Sequence, residues 1–367
     1  DDLVLKKMLP YLTHKYGNSS SNEHVFGWQA EESVNKSREQ VSQLINSSPN
    51  EIIFTSGATE ANNISILGAL KKYRKNKIHT ITAKTEHKSI LDIFNAANKD
   101  SISTTYLDVQ KNGIINLDEL YKSINDDTKL ISIMLANNEI GAIQPIDKIS
   151  EICQRKDIIL HVDAVQGLGK INIDVKELKI DLMSLSSHKI YGPKGIGCIY
   201  INRHKMKNKI LPIVFGGGHE RGLRPGTLAT HNVVGFGEAC KVARENMNQY
   251  IERINNLQSK LLENLMTEFP NLIINGTLKN RIPGNLNLTF PDLKGKSIIK
   301  NLKKIAVSSG SACTSSAPMP SHVLQAIGLK KAYINSTIRI GIGKFNTVQD
   351  IEVASQHIIE VINKIKI

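Results

Sequence analysis

Lys189 is the residue of this sequence best suited to covalent chemistry, in the Ser-Ser-His-Lys sequence at 186–189. It follows an apolar run at 181–187 that predicts a strand, and the turn sequence Gly192-Pro193 comes after it. A lysine at a strand end beside hydroxyl groups could hold an aldehyde cofactor as a Schiff base next to its phosphate. The alternative is a surface lysine in a turn, which is the commoner role of such a lysine.

Asp163 is a carboxylate that could serve the same cofactor, because it ends the apolar run at 158–162. A buried carboxylate needs a cationic partner. A protonated ring nitrogen would be such a partner and would make the ring a better electron sink. Asp163 precedes Lys189 by 189 − 163 = 26 residues, enough for one helical crossover between neighbouring strands. The alternative for Asp163 is a turn or cap residue.

Four further places have residue types suited to a flat, charged ligand. The Ser-Gly-Ala-Thr sequence at 56–59 precedes a predicted helix, where it could bind a phosphate or act as an ordinary N-cap. His87 could stack on a ring and move protons near neutral pH, or be structural. Asn138 could donate to a carboxylate or a phenolic oxygen. Arg339, inside an apolar strand, could grip a carboxylate ligand or pair with a buried acid.

Cys313 differs from the other three cysteines. Cys153, Cys198 and Cys240 lie in periodic apolar patterns, where cysteine usually behaves as a small buried residue. Cys313 lies in a small, polar segment at 308–321, where an exposed thiol is a liability unless its reactivity is used. No CxxC or other metal spacing occurs, so we expect free thiols in a reducing compartment and no metal site of the chain's own.

Strands alternate with helices over the first two thirds of the chain, which predicts an α/β fold with a mostly parallel sheet covered on both faces. Such sheets bind ligands at the carboxyl ends of their strands, where most of the candidate residues fall. The predicted strands are 51–55, 79–83, 104–109, 130–136, 158–165, 181–187 and 196–201, and the predicted helices are 23–46, 62–73, 89–98, 117–124 and 146–155.

A second, smaller C-terminal domain of the α+β kind is predicted after a long helical run at 233–269. We place the boundary near residue 248, which gives a large domain at 1–247 and a small one at 248–367. The small domain has predicted strands at 286–290, 306–308 and 337–342, and predicted helices at 297–303, 322–327 and 348–365.

The composition argues against several classes of protein. The chain has 367 residues, of which 40% are hydrophobic. No apolar run approaches the roughly 20 residues that cross a bilayer, so no membrane role is expected. The net charge is +13, but the lysines are spread along the chain, which favours solvated helix faces over a specific nucleic-acid site. A phosphate-binding P-loop sequence is also absent, which argues against a nucleotide site of that kind.

Together these residues resemble the cysteine desulfurases of the NifS and IscS type, within the fold-type-I family of enzymes that use pyridoxal 5'-phosphate. That resemblance implies a homodimer that removes sulfur from L-cysteine, giving L-alanine and a persulfide on Cys313. The resembling segments occur in order along nearly the whole chain: 26–32, 54–60, 85–88, 137–141, 161–166, 186–197, 216–227 and 308–315.

The resemblance also implies catalytic roles. Lys189 would anchor the cofactor and take the Cα proton, and Cys313 would attack the substrate sulfur. His87 would stack on the ring and shuttle the thiol proton. Asp163 would face the ring nitrogen, and Gln166 the phenolic oxygen.

Phosphate and substrate contacts follow from the same resemblance. Arg339 and Asn138 would hold the substrate carboxylate, Asn138 also contacting the cofactor. The phosphate would be bound by Ala58, Thr59, Ser186 and His188, with Thr227 reaching in from the second subunit, so that the active sites are shared.

The resemblance implies sulfur acceptors as partners: an iron–sulfur scaffold protein, with which Cys313 could transiently share a cluster, or a relay toward tRNA thiolation. The location implied is the cytoplasm or a mitochondrion-type matrix. The family's Asp-x-x-Ala-Thr-Thr-Pro pattern does not precede Asp1, so we expect the sequence to begin inside the protein. It also stops at Ile367, short of the C-terminal extension with which the IscS type docks its scaffold.

Two alternatives remain at this point. A selenocysteine lyase or a class V aminotransferase would share every feature except the need for Cys313. A non-catalytic assembly or RNA-binding subunit would need none of the chemistry.

Overall fold

Two β-sheets form the framework of the molecule, and one long helix contributes to the hydrophobic core beside each. The computed structural model describes residues 1–73, 77–97, 102–293, 298–309 and 320–366. Cys313 therefore lies outside the described residues.

The helices and strands follow the predicted alternation with small differences in their bounds. The strands are β1 (Ile52–Thr55), β2 (Ile78–Ala83), β3 (Ile102–Leu107), β4 (Thr128–Ser132), β5 (Ile159–Asp163), β6 (Leu182–Ser186), β7 (Gly197–Ile201), β8 (Ile273–Ile274), β9 (Asn285–Thr289) and β10 (Thr337–Gly341). The helices are α1 (Asp2–Thr13), α2 (Val25–Leu44), α3 (Ala58–Leu70), α4 (Lys88–Ala97), α5 (Leu117–Ser123), α6 (Ile146–Arg155), α7 (Arg203–Met206), α8 (Thr230–Glu268), α9 (His322–Ala326), α10 (Lys331–Ile334) and α11 (Val348–Lys366).

The larger sheet has seven strands in the order β1-β7-β6-β5-β4-β2-β3. Strands β3, β2, β4, β5 and β6 are parallel, whereas β7 is antiparallel to both of its neighbours. Since β1 and β6 both oppose β7, they run in the same direction as the parallel strands. The mostly parallel sheet predicted from the sequence is confirmed.

Alternate residues of these strands enter two different cores. On β5, Leu160 and Val162 pack in the hydrophobic cluster on one face of the sheet. Ile159, on the same strand, packs in a second cluster on the other face. Because successive side chains point to opposite faces of a strand, both faces of the sheet are covered. The near-continuous apolar character of β5 and β6 is the consequence of this double burial.

The smaller sheet is antiparallel, in the order β10-β9-β8. Its core takes residues from the second half of α8 and from α11, whereas the first half of α8 packs in the core of the larger sheet. The domain boundary near residue 248, which falls inside α8, stays a prediction.

Three local predictions were wrong. The strand expected at 306–308 is a single bridge between Ser308 and Arg339. The described part of the helix expected at 297–303 forms isolated turns. The strand expected at 130–136 ends at Ser132, although the Ile133 and Leu135 N–H groups still donate to the His161 and Asp163 carbonyl oxygens of β5. Helix α1 was not predicted, since it buries only Val4 and contains Pro10. No helix in the described residues is long and apolar enough to span a membrane.

Gly197, the first residue of β7, lets the turn after β1 approach the end of β6. It pairs with Thr55 of β1 on one side and with Ser186 of β6 on the other. A Cβ atom at Gly197 would lie 2.5 Å from the Leu185 carbonyl oxygen and 2.9 Å from the Gly57 Cα. The turn after β1 therefore rests directly on β7, beside the end of β6.

We predict that Gly197→Ala destabilises the protein by about 1–3 kcal/mol, because backbone atoms must move to admit the methyl group. Urea-induced unfolding measures this change. Gly218→Ala is the matched control, since a Cβ there meets nothing within 4 Å. Equal stabilities of the two variants would contradict the close-approach argument.

Candidate active site

A cavity of about 970 Å³ opens where the chain leaves the carboxyl ends of β1, β5 and β6. Thr227 is exposed in the single chain and does not line it. The cavity brings together most of the residues predicted to act in one site: Ala58, Thr59, His87, Asn138, Asp163, Gln166, Ser186, His188, Lys189 and Arg339.

Asp163 is buried at the end of β5, where two donors hold its carboxylate. Oδ1 accepts a hydrogen bond from the Val165 N–H (3.1 Å), and Oδ2 accepts one from the Asn62 amide (3.2 Å). Burial raises the pKa of Asp163, and these hydrogen bonds and the charges of His87 and Lys189 oppose the rise. The carboxylate is therefore suited to a cationic partner in the cavity.

His87 lies between β2 and α4 with a fixed ring orientation. Its Nδ1 accepts a hydrogen bond from the Ser89 N–H (3.1 Å) and lies 2.8 Å from the Ser89 hydroxyl. Burial lowers the pKa of His87, so the neutral ring is favoured. With Nδ1 engaged as an acceptor, the neutral ring carries its hydrogen on Nε2.

Asn62 connects these two groups and was missed from the sequence. Its amide donates to Asp163 and also to the Ser89 hydroxyl (2.9 Å), which is the partner of His87. Asn62 is fully buried on α3. A polar residue inside an otherwise apolar helix pattern was the signal that could have identified it.

The opposite end of the cavity has the features of a phosphate site. Helix α3 begins at Ala58, so the N–H groups of its first turn and the Thr59 side chain border the cavity. The Ser186 hydroxyl lies 2.9 Å from the His188 Nδ1 at the end of β6. Lys189 follows in a short 3-10 turn, Ser187–Ile190. The N-terminus of α3, the hydroxyls and the nearby lysine charge together suit an anion.

Arg339 lies on β10, across the cavity from the large sheet. Its Nε donates to the Ser308 hydroxyl (3.0 Å), and its NH1 donates to the Asn138 carbonyl (3.1 Å). Within the described part of the chain, no carboxylate forms an ion pair with it. The guanidinium therefore borders the cavity and can bind a carboxylate ligand.

Glu139 is a buried acid next to this arginine that the sequence did not single out. The Ser321 hydroxyl donates to its Oε2 (2.5 Å). Burial raises the pKa of Glu139 to about 7, and the Ser321 hydrogen bond and the Arg339 charge oppose the rise. From the sequence, only the neighbouring Asn138 was proposed as a candidate residue.

Lys170 is a second lysine in the cavity, also missed from the sequence. Its Nζ donates to the Gln166 Oε1 (3.1 Å). Burial, and secondarily the charge of Lys189, lower the pKa of Lys170 to about 8.

The three described cysteines are buried, as predicted. Burial raises the pKa of Cys153 to about 12 and also raises the pKa values of Cys198 and Cys240. None of these thiols is suited to act as a nucleophile.

The cavity therefore fits a ligand with an anionic group at one end, a carbonyl carbon that an amine can attack, and a basic ring nitrogen. A buried carboxylate, three lysines and an anion-binding helix start are the observations behind this fit. A second ligand with a carboxylate would find Arg339 on the facing side.

Comparisons with a family model and with known proteins indicate related families for this chain. The aminotransferase class-V model matches residues 1–353. The cysteine desulfurase IscS of Colwellia psychrerythraea is 49% identical over 356 residues, which cover 96% of this chain and 88% of that protein. The human cysteine desulfurase is 46% identical over 366 residues, covering 100% of this chain and 80% of that protein.

Solved structures agree with these relatives. One described as a NifS-like protein has a TM-score of 0.92 and 35% identity, covering 99% of this chain and 96% of its own. SspA, solved in complex with cysteine, has a TM-score of 0.82 and 34% identity, covering 94% of this chain and 96% of its own. The fold and the family resemblance predicted from the sequence are confirmed.

We predict that Glu139 makes stability fall as pH rises. Its pKa is raised in the folded state, so its contribution is complete below the ordinary value and is lost between about pH 4.5 and about pH 7. A shift of this size corresponds to roughly 3 kcal/mol. In Glu139→Gln the fall in the free energy of unfolding across this pH range should be smaller by about that amount. Urea unfolding of cofactor-free protein over a pH series measures it.

Glu177→Gln, an exposed carboxylate change, is the control and should leave the pH profile unaltered. A Glu139→Gln profile with the wild-type slope would show that Glu139 does not titrate in this window.

Proposed function

This chain belongs to the aminotransferase class-V family and, within it, to the cysteine desulfurases, and we propose that Lys189 and Cys313 divide the reaction between them. The enzyme would bind pyridoxal 5'-phosphate and remove sulfur from L-cysteine, giving L-alanine and a persulfide on Cys313. The observation that carries the proposal is the convergence of Lys189, Asp163 and His87 with an anion-binding helix start in one cavity.

The residues present fit pyridoxal 5'-phosphate. Lys189 would hold its aldehyde carbon and Asp163 its ring nitrogen, with His87 stacked on the ring. When bound, the cofactor supplies a sink for the electron pair released at the substrate Cα. Its phosphate would be bound by the Ala58 and Thr59 N–H groups, the Thr59 and Ser186 hydroxyls, and His188.

Substrate binding would use the free side of the Arg339 guanidinium. Its hydrogen bonds to Ser308 and to the Asn138 carbonyl fix the plane of the group. A planar guanidinium in a fixed orientation binds a carboxylate bidentately. Asn138 would add a contact to the carboxylate, and Gln166 one to the cofactor.

Proton movements would then use Lys189 and His87. The Lys189 amine, released when the substrate amine takes its place, would accept the Cα proton. His87 carries its hydrogen on Nε2, because Ser89 occupies Nδ1. In this tautomer Nε2 is a hydrogen-bond donor, so His87 would direct the substrate sulfur through that N–H; accepting the thiol proton would require the other tautomer, in which Nε2 carries no hydrogen.

Sulfur transfer would follow on Cys313. Its thiolate forms a bond to the substrate sulfur while the carbon–sulfur bond breaks. The electron pair of the broken bond stays with the three-carbon fragment, which gains protons and leaves as L-alanine. The high pKa values of the three buried cysteines support Cys313 as the nucleophile, since those thiols stay protonated.

We propose that the persulfide is passed to an iron–sulfur scaffold protein, with a relay toward tRNA thiolation as a second outlet. The net charge of +13 supports an acidic partner, because it raises the rate of encounter with one. The reaction would take place in the cytoplasm or a mitochondrion-type matrix, in a homodimer.

We expect mass spectrometry of protein incubated with L-cysteine to find one added sulfur on the Cys313 peptide. The Cys153, Cys198 and Cys240 peptides are internal controls and should gain none. Cys313→Ser should lose sulfide release in dithiothreitol but keep cofactor binding. Retained desulfuration in this variant would favour a selenocysteine lyase type of reaction.

Thr227 tests the shared active site. If it contacts the phosphate across a dimer, Thr227→Ala should weaken cofactor affinity by roughly tenfold, because a hydrogen bond to a charged group is lost. Thr267→Ala is the control, since its hydroxyl bonds within α8. A monomer in light scattering, or unchanged affinity in Thr227→Ala, would contradict the shared site.

A further inference from the structure

Lys170 has no role in the chemistry described so far, although its side chain borders the same cavity as Lys189. No carboxylate in the described ranges forms an ion pair with it, and its side-chain partner there is the Gln166 amide oxygen. Lys170 is half-buried, and an ammonium group withdrawn from water beside a second lysine is costly unless an anionic or polar group in the cavity compensates it.

The local fold explains why Lys170 and Gln166 meet. After β5 the chain makes consecutive turns in which the Gly167 and Leu168 N–H groups bond to the Ala164 carbonyl, and the Lys170 N–H bonds to the Gly167 carbonyl. Residues four apart lie on one face of such helical turns. Lys170 therefore lies beside Gln166, on the segment that begins at Asp163.

The same turns pack against the segment that carries Lys189. Gly169 has a φ of 64°, and a Cβ there would lie 2.8 Å from the Ile190 Cγ2. This contact brings the segment after β5 directly against the 3-10 turn Ser187–Ile190. The charge of Lys189 accordingly acts on Lys170.

The Lys170 hydrogen bond determines which end of the Gln166 amide is available. Since Oε1 accepts from the Lys170 ammonium at 3.1 Å, the NH₂ group is the end left to contact a ligand. An NH₂ group is a donor, so it suits an oxygen that accepts. Without the ammonium, either end of the amide could face the cavity.

The connectivity of pyridoxal 5'-phosphate provides such an oxygen. Its phenolic oxygen is on the ring carbon next to the aldehyde carbon, on the side away from the phosphate arm. With the ring nitrogen at Asp163, the aldehyde at Lys189 and the phosphate at the start of α3, the phenolic oxygen would be on the ring edge away from α3. Lys170 and Gln166 line the same cavity as Lys189, and the charge of Lys189 acts on Lys170, so the Gln166 amide would be near the aldehyde end of that edge.

We propose that Lys170 is a positioning residue: its ammonium group holds the Gln166 amide so that the NH₂ group donates to the phenolic oxygen of the bound cofactor. This inference rests on the proposed cofactor. The pKa of about 8 supports it, because an ammonium group that is poorly compensated gains most from a nearby anionic oxygen.

The test compares two cofactors in one double-mutant cycle on the full chain. Dissociation constants for pyridoxal 5'-phosphate and for its 3-deoxy analogue, which lacks the phenolic oxygen, are measured by absorbance titration. The proteins are wild type, Lys170→Met, Gln166→Leu and the double variant. Lys72→Met, an exposed lysine on the surface, is the control for the change in net charge.

We expect Lys170→Met to weaken binding of pyridoxal 5'-phosphate by about tenfold or more, as expected for a lost charge-assisted hydrogen bond. Affinity for the 3-deoxy analogue should change by less than about threefold, since the oxygen concerned is missing. The double variant should be close to Gln166→Leu alone. Lys170→Gln serves as the neutral substitute if the methionine variant does not fold.

Equal losses for both cofactors, unchanged affinity in Lys170→Met, or additive losses in the double variant would overturn the role of Lys170. Failure of the wild-type protein to bind pyridoxal 5'-phosphate would instead overturn the proposed function.

Discussion

The buried carboxylate of Asp163 is the constraint on which the site depends. Removing a carboxylate from water costs several kcal/mol, and hydrogen bonds from Val165 and Asn62 offset only part of that cost. The remaining compensation must come from cationic groups such as Lys189, whose charge acts on Asp163. The fold places this acid where a positively charged ring nitrogen would offset the cost of its burial, so the burial of Asp163 favours a ligand with such a nitrogen.

The sheet topology places the other groups around that acid. Because β1 and β6 both pair with β7, the start of α3 and the turn that carries Lys189 lie on the same edge as the end of β5. Gly197 permits the close approach, and Gly169 holds the segment after β5 against Ile190. Arg339 completes the cavity from the smaller sheet, so the site requires both sheets to be folded and in contact.

Much of this arrangement was predictable, since the apolar alternation fixes the strands and the carboxyl ends of parallel strands meet at one edge. Lys189 and Asp163 were identified in this way, as residues that end apolar runs. Asn62, Glu139 and Lys170 were not, because their roles depend on partners far away in sequence or on a turn whose geometry the pattern does not specify. Residues 306–308 were predicted as a strand, but only Ser308 forms a bridge, with Arg339, because periodicity does not identify a pairing partner.

The identity of the lysine that holds the cofactor is the most direct test of the account, because three lysines line the cavity, Lys170, Lys189 and Lys194. Protein loaded with pyridoxal 5'-phosphate is reduced with borohydride, digested, and its peptides are mapped by mass spectrometry. The account predicts the reduced cofactor on Lys189, with Lys170 and Lys194 unmodified. The cofactor on Lys170 or Lys194, or on none of the three lysines, would contradict it.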